Sequence, residues 1–288
     1  MNEWKDAIRS LAGAGFLHYN FSGGEPLLSD KTYSLIEYLH KKSFLTSINT
    51  NGLLLTRQNL VKLKKAGLDA IQVSIDHSDA ATHDSFRNYP GIYEQALKGA
   101  QEALGMGFAV SVNSLVTKER IKEGDVLKLY SIVKKMGLIY QLEIPCCAGK
   151  YAGKSDELLN AQEEKVYWGY IEKHDMRNDN FSTYWKTGCD AGSEKITITP
   201  DGEVIPCSVI QISFGNIKEE RFCDIWKRMA RVKYFRTLQP KCLAGLDREF
   251  ISRYLSPLCG EKSLPVRASN HPVLKTEFNF KSQESVPQ

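Results

Sequence analysis

Short apolar-rich runs of strand length recur along the first half of the chain, at residues 16–21, 44–49, 70–76, 107–115 and 138–145. Between them, apolar residues return every three to four positions, the spacing that gives a helix one buried face. Residues 2–14 set Trp4, Ile8, Leu11 and Ala12 on such a face, and Gly13 and Gly15 end it. Residues 30–42 follow, with Asp30 as cap and Leu35, Ile36 and Leu39 inward; Thr56 caps the next helix, which stops at Gly67. Residues 80–88, 93–106 and 126–136 complete the helical set. Strand and helix alternate five times with short connections. This is the pattern of parallel βαβ units, as an open sheet or a partial barrel.

The second half reads differently. Residues 156–177 have the spacing of one long helix, with Leu158, Leu159, Val166, Tyr170 and Ile171 mostly on one face. Beyond it, residues 195–199 and 203–207 flank Pro200-Asp201-Gly202, which predicts a β-hairpin. A helix containing Ile225, Trp226 and Met229 follows, with Cys223 expected in its core. From Arg267 onward no periodicity is visible, and a flexible tail is expected. The boundaries expected from this pattern are 1–183, 184–265 and a tail of 266–288.

Polarity inside the strands carries the first functional signal. Residues i and i+2 of a strand share a face. Near the carboxyl end of each strand a polar pair falls at that spacing: Asn20 with Ser22, Asn49 with Asn51, Ser74 with Asp76, Ser111 with Asn113, and Gln141 with Glu143. Parallel strands are normally buried on both faces, so each such group costs about 1–3 kcal/mol unless it is hydrogen-bonded. Five pairs at one end of one sheet predict the lining of a polar pocket, at the end where barrel enzymes keep their sites. The first strand also runs into Phe21-Ser22-Gly23-Gly24-Glu25-Pro26-Leu27. Two glycines let backbone approach a ligand, and Glu25 puts a carboxylate beside freed backbone groups, a seat for an ammonium. The plainer reading is a strand-to-helix turn whose Glu faces water.

Composition narrows the classes. Of 288 residues, 42% are hydrophobic and 25% charged, with a net charge of +4, which describes an ordinary globular chain. Lys62, Lys64 and Lys65 are the densest early basic run and read as a solvated helix face, so no nucleic-acid partner is expected. No apolar run approaches the roughly 20 residues of a membrane helix, and no signal peptide is seen, so a cytoplasmic protein without a membrane partner is expected. Seven cysteines in such a chain point to a metal or reactive thiols rather than disulfides.

With these motifs in order, the chain resembles the radical S-adenosylmethionine (radical SAM) enzymes. The matching residues are Phe21-Ser22-Gly23-Gly24-Glu25-Pro26-Leu27-Leu28, Asn49-Thr50-Asn51-Gly52, Val73-Ser74-Ile75-Asp76, His83-Asp84-Ser85-Phe86-Arg87 and Val112-Asn113-Ser114-Leu115-Val116-Thr117, over about residues 1–175. The resemblance implies an α/β fold: a partial (β/α)6 TIM-type barrel missing its first strand, followed by a small α+β domain of SPASM or Twitch type. It implies S-adenosylmethionine at Ser22, Gly23, Gly24, Glu25, Pro26, Asn49 and Asn51, with Gly23, Gly24 and Glu25 on the methionine amino group. Ser74 and Asp76 would meet the ribose or carboxylate, and Asn113 the ribose. Arg87 would bind the methionine carboxylate, with a surface ion pair as its other reading.

The family's CxxxCxxC loop, which holds the [4Fe–4S] cluster that binds and cleaves S-adenosylmethionine, is missing from these residues. The expectation is therefore a fragment or a late-started gene model that does not cleave S-adenosylmethionine by itself, with that cluster present only in a complete chain. Cys146 and Cys147 are expected to be small hydrophobes after the fifth strand, with a place at the pocket mouth left open for one of them. Cys189-x12-Gly202-x4-Cys207 resembles the opening of SPASM and Twitch domains. With Cys242 and Cys259 it implies four thiolates for one auxiliary [4Fe–4S] cluster, structural zinc being the alternative. The resemblance further implies radical modification of a peptide or small-molecule substrate and an electron donor such as a flavodoxin or ferredoxin. A non-catalytic binding relative with a structural metal site is the rival reading.

Overall fold

The computed structural model describes residues 2–178 and 188–277. Among these, residues 2–5, 15–143 and 161–178 form one compact unit and residues 6–14, 144–160 and 188–277 a second. The expected cut near residue 183 lies outside the described residues. The division is also not a single cut, because residues 144–160 belong to the second unit. Cys147 N–H donates to the Ala244 carbonyl at 2.8 Å, and Arg248 donates to the carbonyls of Leu158 and Leu159 at 3.4 and 2.9 Å.

Helix α1 spans Asn2–Gly13. In the first unit, β1 (His18–Phe21), α2 (Asp30–His40), β2 (Leu45–Thr50), α3 (Arg57–Ala66) and β3 (Ala70–Ser74) alternate as expected. They continue through α4 (Ala80–Arg87), α5 (Ile92–Gly105), β4 (Ala109–Leu115), α6 (Lys118–Glu123), α7 (Asp125–Lys135) and β5 (Ile139–Glu143). The strands form one parallel sheet in sequence order, so each crossover returns beside the strand it left. Thr56 caps α3 as expected, its side chain accepting from Asn59 N–H, and Gly67 closes it in the left-handed conformation. Ser29, rather than Asp30, stands at the cap position of α2, without a side-chain bond.

Two elements escaped the pattern. Helix α6 is a single capped turn and a half after Thr117. The stretch read as one helix over 156–177 divides into a 3-10 turn (Ser155–Glu157), α8 (Ala161–Lys173) and a sixth strand, β6 (Met176–Asn178), paired parallel to β5. Leu158 and Leu159 are buried, but in the second unit, so their apolar character was no sign of a helix face.

One face of the sheet is apolar and packed. Ile48, Ile71, Val73, Val112 and Leu142 are buried there, as are Ile36, Leu39, Leu60, Leu63, Ala96, Ala100, Leu129 and Val133 of the helices. Gly52 ends β2 at a φ of +87°, and a Cβ on it would lie 2.6 Å from Ala96 Cβ and 2.7 Å from Ala96 Cα. Both the backbone conformation and the close approach of α5 require glycine. Gly52→Ala is expected to lower the unfolding free energy by about 1–3 kcal/mol, read from the denaturation midpoint; an unchanged midpoint would mean that α5 yields freely.

In the second unit the hairpin forms from β7 (Thr197–Ile198) and β8 (Val204–Ile205), antiparallel. β9 (Ile212–Ser213) follows, then α9 (Phe222–Met229), whose Phe222, Ile225 and Met229 face inward. That spacing turns Cys223 outward, and it is exposed rather than core. Phe214, Phe235, Phe250 and Tyr254 pack ring against ring in the interior. Residues 266–277 are not a tail. Val266–Arg267 pairs parallel with β9, and fully buried His271 lies 2.8 Å through Nε2 from the Tyr254 carbonyl. The remainder, 278–288, lies outside the described residues. No helix among the described residues is long and apolar enough to cross a membrane.

Candidate functional site

The register decides whether the polar pairs share a surface. Asn20 stands opposite Ser47. Asn49, Gln72 and Ser111 form one row across β2, β3 and β4, and Ser74, Asn113 and Gln141 form the next across β3, β4 and β5. Leu115 pairs with Glu143 beyond them. All the expected pairs within the strands therefore lie on one face, opposite the packed apolar one. Ser47 and Gln72 belong to the same face; the alternation that found the others contains them, two residues before Asn49 and Ser74.

The groups on this face are joined to one another. Asn113 Nδ2 donates to Glu143 Oε1 at 3.0 Å, and Gln72 Nε2 to Gln141 Oε1 at 3.3 Å. Ser47 donates to Asn20 Oδ1 at 2.8 Å. Asn49 Oδ1 is buried with no hydrogen-bond partner among the described residues. An orphaned acceptor on an otherwise connected polar surface marks a place for a donor that the chain does not supply.

Glu25 does not face water. Its Oε1 accepts from the Thr50 hydroxyl at 2.9 Å and Leu27 N–H at 3.2 Å, and its Oε2 from Asn51 N–H at 3.0 Å. The carboxylate is thereby fixed across the ends of β1 and β2, while Gly23 and Gly24 before it border open space. Pro26 is buried and Ser22 exposed. Asn51 turns its Oδ1 onto Leu53 N–H at 2.9 Å.

Asp76, 2% exposed, bridges three elements. Oδ1 accepts from Leu115 N–H at 3.0 Å, and Oδ2 from Arg87 Nε at 2.7 Å and Nη2 at 2.6 Å. Its own N–H donates to His83 Nδ1 at 3.1 Å, which fixes the tautomer of that buried ring. Burial pushes His83 down to about 4, so it is neutral. Arg87 is thus held by Asp76, in an ion pair whose carboxylate is buried rather than at the surface. An open groove of about 520 Å³ adjoins this corner, lined by His77, Ala81, Thr82, Ser85 and Phe86, but none of the polar face lines it.

The cysteines gather in the second unit. Cys189 exchanges both backbone hydrogen bonds with Gln239, at 2.7 and 3.0 Å, and Gly192 N–H donates to the Pro206 carbonyl at 3.0 Å, which brings Cys207 alongside. The Cys242 thiol meets those of Cys146 and Cys189. The Cys189 sulfur accepts from the N–H groups of Leu243 and Ala191, and that of Cys207 from Val209 N–H. Cys259 has other partners: its thiol meets Cys147 and Gly153 N–H. Contact with Cys242 and burial push Cys189 up, contact with Cys146 leads the rise at Cys242, and burial raises Cys207. Metal binding at these sulfurs would therefore release protons.

Among the described residues no three His, Cys, Asp or Glu side chains enclose one point closely enough for a single metal ion. Cys146, Cys189 and Cys207 all neighbour Cys242. An all-sulfur set with backbone N–H groups aimed at two of the sulfurs suits an iron–sulfur cluster, whose potential such bonds tune.

Residues 1–130 match the Radical SAM superfamily, and residues 189–246 match the SPASM iron-sulfur cluster-binding domain. The chain carries a radical SAM domain and a SPASM domain. It is similar to an AdoMet-dependent heme synthase of Nitratidesulfovibrio vulgaris, 28% identical over 267 residues that cover 82% of this chain and 72% of that protein. It is similar also to the PqqA peptide cyclase of Rhizobium meliloti, 26% identical over 243 residues, covering 78% of this chain and 64% of the cyclase. In fold it is similar to SuiB of Streptococcus suis bound to S-adenosylmethionine, with a TM-score of 0.64 and 19% identity over 94% of this chain and 70% of that one. Against another SuiB structure it covers 58% of that chain. The radical SAM and SPASM domains imply S-adenosylmethionine and iron–sulfur clusters as cofactors. Apart from Gln141 and Glu143, the polar face lies within the residues that match the radical SAM model, and three of the four grouped thiols lie within those that match the SPASM model.

Proposed function

We propose that this chain is the S-adenosylmethionine-binding and auxiliary-cluster portion of an enzyme that modifies a peptide or small molecule by radical chemistry. The carrying observation is the single polar face, on which Ser74 and Asn113 stand in register and Asn49 one row before them, beside the fixed carboxylates of Glu25 and Asp76. Glu25, with Gly23 and Gly24 open before it, would receive the methionine ammonium. Asn49, Ser74 and Asn113 would meet the ribose and its neighbours, and Ser22, Pro26 and Asn51 would shape the turn. Arg87 would order Asp76 and, by rotation, reach the methionine carboxylate. In an enzyme that also holds a reduced [4Fe–4S] cluster, S-adenosylmethionine held at this face would supply the radical chemistry that removes hydrogen from substrate. These 288 residues contain no CxxxCxxC, and by themselves they are proposed to bind S-adenosylmethionine without cleaving it. The similar heme synthases and PqqA cyclase support both substrate classes, and a flavodoxin- or ferredoxin-type donor would supply electrons.

Calorimetric titration with S-adenosylmethionine tests the reading. Asn49→Ala removes an acceptor with no partner among the described residues, so free-protein stability should hold or rise by up to about 1 kcal/mol. Affinity for S-adenosylmethionine should fall about tenfold if the ligand completes that bond. No binding by the wild type, or equal binding by the variant, would overturn the site.

A further inference from the structure

We propose that Cys146 supplies the fourth thiolate of the auxiliary cluster, with Cys189, Cys207 and Cys242, and that Cys259 is not a ligand. The inference rests on reading the second unit as cluster-binding and deepens it. Residues 144–147 lie directly against residues 242–245. Cys147 N–H donates to the Ala244 carbonyl at 2.8 Å, and a Cβ on Gly245 would lie 2.7 Å from Ile144 Cδ1 and 3.0 Å from the Pro145 carbonyl oxygen. Gly245 is what lets the two loops come this close, and their approach carries the Cys146 thiol to that of Cys242.

The chain turns at Cys147, where Ala148 N–H donates back to the Cys146 carbonyl at 2.7 Å. The two neighbouring thiols have different partners: that of Cys146 meets Cys242, and that of Cys147 meets Cys259. Cys146 is half-buried, and its thiol donates to its own loop's Ile144 carbonyl at 3.5 Å, a weak bond that deprotonation would release at little cost. Two loops far apart in sequence thus converge on Cys242, while Gln239 and Pro206 bring Cys189 and Cys207 to it.

The test is anaerobic reconstitution of the whole chain with iron and sulfide. Wild type, Cys146→Ala, Cys146→Ser and Cys259→Ala are compared by iron and sulfide content, visible absorbance and the electron paramagnetic resonance of the reduced cluster. The assignment predicts about four irons for wild type and Cys259→Ala with matching spectra. Cys146→Ala should lose at least a quarter of its iron, and Cys146→Ser should keep iron with an altered resonance. Circular dichroism of the metal-free variants separates cluster loss from misfolding, and the serine variant answers even if the alanine variant fails to fold. Cys146→Ala and Cys146→Ser both indistinguishable from wild type, or loss confined to Cys259→Ala, would overturn the assignment alone. Wild type that takes up no iron, or zinc in its place, would overturn the cluster reading and the assignment with it.

Discussion

Replacing Arg120 with methionine is expected to cost the first unit about 3–5 kcal/mol, more than any other single change considered in this sheet. The guanidinium is fully buried. Its Nε donates to Asp125 at 2.8 Å, Nη1 to Ser114 Oγ at 2.7 Å and to the Leu115 carbonyl, and Nη2 to Tyr140 at 3.3 Å. Asp125 in turn accepts from the N–H of Ser78 at 2.9 Å and from its hydroxyl. Methionine fills the volume but leaves a buried carboxylate without its cation, and that residue of charge is what makes half a pair so costly. The double variant Arg120→Met with Asp125→Leu should recover most of the loss, since a buried pair replaced whole is often neutral. Chemical denaturation of the three variants checks the cycle; equal losses for single and double variants would show that Arg120 acts through packing alone.

The same region makes the unit acid-sensitive, with a definite sign. Burial pushes the Asp125 carboxyl up, but the Ser78 and Arg120 bonds outweigh it and hold it net below the usual range. Its stabilisation is complete above the unfolded carboxylate's value and is lost as pH falls through the lower folded one. His83 adds an earlier loss. Its ring is pushed from 6.5 to about 4, so the unfolded chain takes up a proton over that interval and the folded one does not. Stability should thus decline from about pH 6.5 downward and steepen once the carboxylates titrate.

Alternation with period two was enough to predict five strands and to place their polar pairs, because in a parallel sheet a hydrophilic residue at every second position has no bland explanation. It could not show what those residues bond. Glu25 reads equally well as a solvent-facing turn residue until Thr50 and Asn51, at the end of the neighbouring strand, are seen to donate to it. Strand β6 was hidden for a different reason: three residues, Met176 to Asn178, carry too short a period to be separated from the helix before them. The thiols show the limit most plainly. Spacing singles out Cys189 and Cys207 as candidates, because a hairpin unites them locally. Cys146 reads as a small apolar residue until residues 242–245 are laid against its loop, a long-range contact with no trace in local sequence.

Asp76→Ala should reduce stability by about 3 kcal/mol and, if the polar face holds S-adenosylmethionine, weaken its binding about tenfold or more. The carboxylate ties the end of β3 to the end of β4 through Leu115 N–H and to α4 through Arg87. Without it a partly buried backbone donor and a guanidinium that is 29% exposed lose their shared acceptor. Asp76→Asn separates the two effects. Its amide oxygen can still accept from Leu115, so the sheet end is kept, whereas the charge that orders Arg87 is gone. The asparagine variant should therefore recover at least half of the stability lost in the alanine variant while its affinity for S-adenosylmethionine remains low. Thermal unfolding and calorimetric titration on the same preparations decide between the roles. Recovery of both stability and affinity by asparagine would mean that Asp76 serves only to tie the strand ends, and Arg87 would then lose its place at the site as well. Affinity that stays low in a well-folded asparagine variant would instead require a charge at this corner, which a strand tie alone does not.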